Sequence, residues 1–271
     1  MRNLLMAAVF AVAGFGSAQA GVIYSATGTA AGLPVTATAD FTISGNQLLI
    51  SLSASGGGAG KYGPGSGLSG LFFSLTGTPT LTPTSATIPA GSSIVNAASC
   101  NPGPCAGATN MDGEWGYQYS AGGYAGGPSS PYGIASSGYL TTGLPHDIGN
   151  FNNGAAGPNL DNPLSLGGAN FEILPAGVAF NGGLSSTPVV ETVVDFVLTG
   201  LPMGFTLADI GGVSFQYGTS FSEANLPGTC TSGCSVTPVP EPGALPLLGT
   251  GLAAIGLLWR RRLLPPQVTA L

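Results

Sequence analysis

The stretch PVTATADFTISGNQLLISLSA, residues 34–54, constrains the fold more than any other part of the chain. Val35, Ala37, Ala39, Phe41 and Ile43 alternate with Thr36, Thr38, Asp40 and Thr42. After Ser44, Gly45 and Asn46 the alternation resumes at Leu48, Ile50, Leu52 and Ala54. Successive side chains of a strand point to opposite faces, so a period of two over this length means two strands, each with one face buried. A Gly-Asn pair between two such runs predicts a hairpin.

Shorter apolar runs recur at Leu71–Leu75, Val189–Leu198 and Val213–Tyr217, separated by clusters of Gly, Pro and Asn. Outside the two ends no window carries a helical period. Gly and Pro, 46 and 22 of 271 residues, make up about a quarter of the chain, a level that in a polar chain would signal low complexity. Disorder goes with low hydrophobicity, however, and here 44% of residues are hydrophobic. The expected fold is all-β: an antiparallel sandwich or jelly roll with glycine-rich loops. The segment Gly103–Gly183 reads as loop-rich, and Leu226–Pro238 as a Thr/Ser/Gly/Pro stalk.

Charge narrows the function classes. Between Asn3 and Trp259 the only basic residue is Lys61, against ten acids ahead of Glu241, so the part ahead of Glu241 carries nine net negative charges. Phosphate backbones are bound by clustered Lys and Arg, which excludes nucleic acid as a partner.

The two ends have a different character. MRNLLMAAVFAVAGFGSAQA places Arg2 before an apolar run and ends in Ala18-Gln19-Ala20, the three-part pattern of a secretory signal peptide cut before Gly21. Near the other end, Ala244–Trp259 is sixteen residues without a charge, followed by Arg260, Arg261 and Arg262. As a helix it would be about 24 Å long, and Trp259 with snorkelling arginines would extend it to span a membrane. The positive-inside rule keeps the arginines in the cytoplasm, so everything before them is exported.

Val239-Pro240-Glu241-Pro242, followed by this apolar span and the arginine cluster, resembles the PEP-CTERM sorting signal of bacterial exported proteins. The resemblance implies recognition by an exosortase, an integral-membrane processing enzyme, and cleavage near Pro240–Pro242. It also implies a Gram-negative host, often with exopolysaccharide synthesis encoded beside the exosortase, and release to the cell surface or extracellular matrix. The expected precursor is anchored in the inner membrane and faces the periplasm. A competing address, Leu226-Pro227-Gly228-Thr229, is an incomplete sortase motif with Cys230 in place of its final glycine.

The domain organisation is then signal peptide 1–20, β-rich domain 21–225, linker 226–242, transmembrane helix with arginine cluster 243–262 and cytoplasmic tail 263–271. Export favours two local disulfides, Cys100 with Cys105 and Cys230 with Cys234. His146 is the only histidine, and no Gly-x-Ser-x-Gly occurs, so no hydrolase motif can be assembled. Asp112, Glu114, Asp147, Asn150, Asn152 and Asp161 put hard oxygens on loops, where they could cap their own turns or bind calcium. Trp115, Tyr117, Tyr119 and Tyr124 read either as core or as a platform for sugar rings. The expectation is a non-enzymatic surface or matrix protein without a cofactor, structural or adhesive, associated with exopolysaccharide and biofilm. Its alternatives are a secreted carbohydrate-active enzyme using Asp112 and Glu114, or a calcium-dependent glycan-binding module.

Overall fold

The computed structural model describes residues 21–100, 105–136, 149–150 and 169–234. In chain order the strands are β1 (Val22–Ala30), β2 (Leu33–Ser44), β3 (Gln47–Ser55), β4 (Lys61–Tyr62), β5 (Leu68–Leu75), β6 (Thr82–Thr87), β7 (Ser93–Val95), β8 (Gly116–Tyr119) and β9 (Tyr132–Ala135). They continue with β10 (Gly149–Asn150), β11 (Ile173–Leu174), β12 (Ala179–Phe180), β13 (Val189–Glu191), β14 (Val193–Thr199), β15 (Ile210–Tyr217), β16 (Asn225–Pro227) and β17 (Thr229–Ser232). The helical pieces among the described residues are short 3₁₀ turns such as Pro64–Ser66 and Leu207–Asp209.

The expected hairpin is β2–β3, in register from Thr36 opposite Ser55 to Ser44 opposite Gln47. Its two-residue loop is Gly45-Asn46, and of the two only Gly45 has positive φ, at 61°, the type II′ pattern in which glycine takes the first central position. β1, β2 and β3 form a meander inside a six-stranded sheet of order β17-β1-β2-β3-β14-β6, antiparallel throughout. A second sheet runs β10-β8-β9-β5-β11-β13-β7, with β15 also on β5 and β16 on β15. One of its pairs, β11–β13, is parallel. Among the described residues the strand order defines these two antiparallel-dominated sheets and does not define a jelly-roll winding.

The sheets share one core. Ala37, Ala39, Phe41, Leu48, Ile50 and Leu52 form the inner face of β2 and β3, each at most 1% exposed. Phe41 meets Phe73 of β5 edge-on, with ring centroids 5.6 Å apart, and Trp115 meets Phe196 of β14 at 5.1 Å. Phe73 also stacks on Tyr132 at 5.4 Å and 12°. Such aromatic pairs add about 0.5–1.5 kcal/mol beyond the area they bury. β5 is buried on both faces, because Phe72, pointing away from this core, is covered by Tyr124 and Phe221. Double coverage explains why its sequence, LSGLFFSL, is a continuous apolar run and not an alternating one.

Candidate functional site

The chain enters and leaves the described domain at one edge of the six-stranded sheet. β17 pairs antiparallel with β1, placing Ser232 opposite Ile23 and Thr229 opposite Ser25, with a bulge between Ile23 and Tyr24. Gly233 packs directly against the carbonyl of Gly21. The disulfide Cys230–Cys234 closes the last turn, and Cys100 is bonded to Cys105. Residues 226–232 are therefore not a free stalk. β16 and β17 are tied to β15 and β1, and the chain divides between Cys234 and Ser235, not after residue 225. The β-branched Thr229 and Thr231, interleaved with Cys230, suit a strand better than the segment's overall Thr/Ser/Gly composition suggests. The sortase-like Leu226–Thr229 lies inside this pairing, with Gly228 donating its N–H to Val213 at 2.8 Å.

Of the constellations weighed from the sequence, Asp112, Glu114, Trp115, Tyr117 and Tyr124 are interior. Asp112 and Glu114 lie in the turn ahead of β8, not on a strand, and each is 4% exposed. Asp112 accepts the Ala86 N–H at 2.7 Å on one carboxylate oxygen, and its own N–H is held by Asn110 at 2.8 Å. Burial and backbone bonding make Asp112 a support for β6. Trp115, Tyr117 and Tyr124 are buried, and only Tyr119 is exposed, so the four aromatics form no common open face. Tyr124 donates its hydroxyl to the Gln118 carbonyl at 2.7 Å, which fastens the glycine-rich 120–130 loop over Phe72. Asn150 falls in β10, while His146, Asp147, Asn152 and Asp161 lie outside the described residues. Among the described residues no group of three or more His, Cys, Asp or Glu side chains could hold a metal.

Two acidic arrangements were not singled out from the sequence. On the outer face of the six-stranded sheet Ser51 is opposite Asp40 on one side and Asp195 on the other. With Thr42, Leu49 and Val197 they line a shallow depression of about 240 Å³. One oxygen of each aspartate is shielded from water and has no hydrogen-bond partner, and burial pushes the Asp40 carboxyl above its ordinary range. Their polar positions in the alternation, TADFT and VVDFV, were the available signal.

The second arrangement is Glu172, which is fully buried with both carboxylate oxygens unpartnered. It lies against Gly67, where a Cβ would strike its side chain. Burial, and then the nearby Glu223 carboxylate, hold Glu172 well above the usual carboxylate range. Glu223 itself accepts from the Thr219 N–H at 2.6 Å. Nothing in the surrounding sequence, NFEIL, marks Glu172 as an interior acid.

Three residues, Ser235, Val236 and Thr237, follow the disulfide-closed edge before Pro238. Residues 238–262 match the family described as the PEP-CTERM protein-sorting motif. The chain carries a PEP-CTERM signal. No curated protein and no solved structure matches the chain.

The PEP-CTERM match spans the residues chosen from the sequence, Val239, Pro240, Glu241, Pro242, Trp259, Arg260, Arg261 and Arg262. It makes the protein an exported one that an exosortase processes on its way to the cell surface. The conformation of this segment lies outside the described residues, as do Ala18 and Ala20, and so does the transmembrane helix expected over Ala244–Trp259. Among the described residues no helix is long and apolar enough to cross a membrane. What is described is the folded edge immediately ahead of the PEP-CTERM signal, held by β1 and by Cys230–Cys234.

Proposed function

We propose that this is a non-enzymatic surface or matrix protein, held in the inner membrane by its C-terminal segment until exosortase cleavage and then associated with extracellular polysaccharide. The observation that carries the reading is the PEP-CTERM match, separated from a disulfide-closed β-domain by only three residues. The processing enzyme thus works close to a folded edge and delivers that domain intact.

The outer face of the six-stranded sheet supports contact with sugars. Ser25 and Thr38 share a hydrogen bond at 3.1 Å, Thr27 and Thr36 share one at 3.2 Å, and the Asp40–Ser51–Asp195 row lies beside them. Hydroxyls and carboxylates on a sheet whose strands carry no Lys or Arg match the hydroxyl groups of neutral polysaccharide and repel phosphates.

Mass spectrometry of both chain ends, in cells with and without the exosortase, tests the sorting half. A C-terminus within residues 238–242 that appears only when the enzyme is present is the expected result. An identical C-terminus in both cells overturns it. Co-sedimentation of the released protein with the host's exopolysaccharide tests the adhesive half, which fails if the protein stays in the supernatant.

A further inference from the structure

Gly21 faces Asp40 on the outer side of the six-stranded sheet. Position 21 has the same parity along β1 as Ile23, whose partner across β2 is Asp40. A Cβ built on Gly21 would lie 2.2 Å from Asp40 Oδ1 and 3.0 Å from Thr42 Cγ2. The nitrogen and Cβ positions of one residue are about 2.5 Å apart, so the Gly21 nitrogen lies within about 4.7 Å of that carboxylate oxygen.

The oxygen is shielded from water and unpartnered. The sequence between Gly21 and Cys234 offers a single cation, the exposed Lys61, while a second unpartnered acid, Asp195, stands across Ser51. A shielded carboxylate oxygen with no donor is costly, and among the described residues the nearest group able to become a cation is the Gly21 nitrogen itself.

We propose that Asp40 is the docking site for the α-ammonium group of the mature chain. The inference rests on the reading of residues 1–20 as a signal peptide removed before Gly21. Hydrolysis adds one water across the Ala20–Gly21 amide: the C–N bond breaks, Ala20 leaves as a carboxylate, and Gly21 keeps the nitrogen as an ammonium. A neutral amide with one N–H becomes a cation with three, beside a carboxylate that had no partner. Because Gly233 packs on Gly21, the new ion pair joins β1, β2 and the exit strand β17, and the edge ahead of the sorting signal is completed only once the leader is gone.

The test uses mature protein recovered from the exported fraction, first weighed to establish that it begins at Gly21. Wild type and Asp40→Asn are then carbamylated with cyanate at pH 7, with Lys61, the chain's only lysine, as internal standard. An ion pair that raises the amine's pKa by one unit cuts the free-base fraction, and hence the rate, roughly tenfold. The Gly21 amine of wild type is therefore expected to react roughly tenfold more slowly than that of Asp40→Asn.

Should Asp40→Asn not be recovered folded, the Asp40 carboxyl of mature wild type is titrated by ¹³C NMR, and a value below the ordinary aspartate range is expected. Equal amine rates, or an Asp40 carboxyl at or above that range, in a chain shown to begin at Gly21 overturn the ion pair alone. A chain that begins elsewhere overturns the ion pair together with the cleavage reading.

Discussion

Ser232 stands opposite Ile23 across the edge of the six-stranded sheet, so the last strand of the domain is zipped onto the first. Thr231 adds a side-chain bond, donating its hydroxyl to the Ile23 carbonyl at 3.3 Å. The unpaired edge of β1 would otherwise offer a row of backbone donors and acceptors to other chains. β17 covers it with residues that sit immediately before the sorting signal.

The Cys230–Cys234 bond keeps β17 in place, its Cα atoms 5.7 Å apart across a separation of four residues. Loop-closure entropy for so short a ring contributes about 2 kcal/mol. Replacing both cysteines by serine is expected to lower the urea midpoint accordingly. Limited proteolysis should then cut first between residues 225 and 234, where the wild type resists. Unchanged proteolysis of the variant would show that pairing with β1 suffices without the bond.

Phe73 joins the two sheets, stacked on Tyr132 on one side and meeting Phe41 edge-on on the other. It is fully buried, so Phe73→Ala leaves a cavity in a close-packed core. A loss of about 3–5 kcal/mol in the free energy of unfolding is expected from equilibrium urea titration. The exposed Met203 provides the contrast, since Met203→Ala should lie within about 0.5 kcal/mol of wild type.

Asp112 separates a structural from a catalytic role. Asp112→Ala strands the Ala86 N–H inside the fold and should cost about 1–3 kcal/mol, whereas Asp112→Asn keeps an accepting oxygen and should cost less. A catalytic carboxylate loses its activity in both variants, because the amide has the right shape and the wrong chemistry. Melting temperatures of the two variants, measured beside polysaccharide turnover, decide between the roles.

How much of this was legible in the sequence depends on how many faces of each strand are covered. β2 and β3 bury one face each, so the period of two marked them residue by residue. β8 and β9 lie in the segment that reads as loop, because Gly116, Tyr117 and Gln118 are all buried and Tyr132–Ala135 is buried throughout. With both faces covered no alternation survives, and the glycines that let neighbours approach look like loop residues. β13 and β14 read as one run because the break at Thr192, whose φ is 78°, falls on a β-branched residue that gives no turn signal. The sorting signal was legible for another reason. It is a short linear pattern of Pro-Glu-Pro, apolar span and arginines, and needs no fold to be read.

Glu172 is the interior acid that the sequence concealed, and it makes a prediction about pH. Its carboxyl is raised by burial first and by Glu223 second, so the folded state holds the proton more tightly than the unfolded chain does. The stability linked to that proton is fully present below the ordinary glutamate value. It is lost as pH rises through the raised value, with a limiting slope of about 1.4 kcal/mol per pH unit. Glu172→Gln has no proton to lose. Relative to wild type, the variant is expected to gain stability as pH rises from the ordinary glutamate value towards the raised one, read as a growing gap between urea midpoints. Near pH 4 the two should differ only by the constant cost of an unpartnered amide in place of a neutral acid. A gap that stays flat over the whole range would mean that Glu172 ionises in the fold as it does in water, which the absence of any partner for either oxygen argues against.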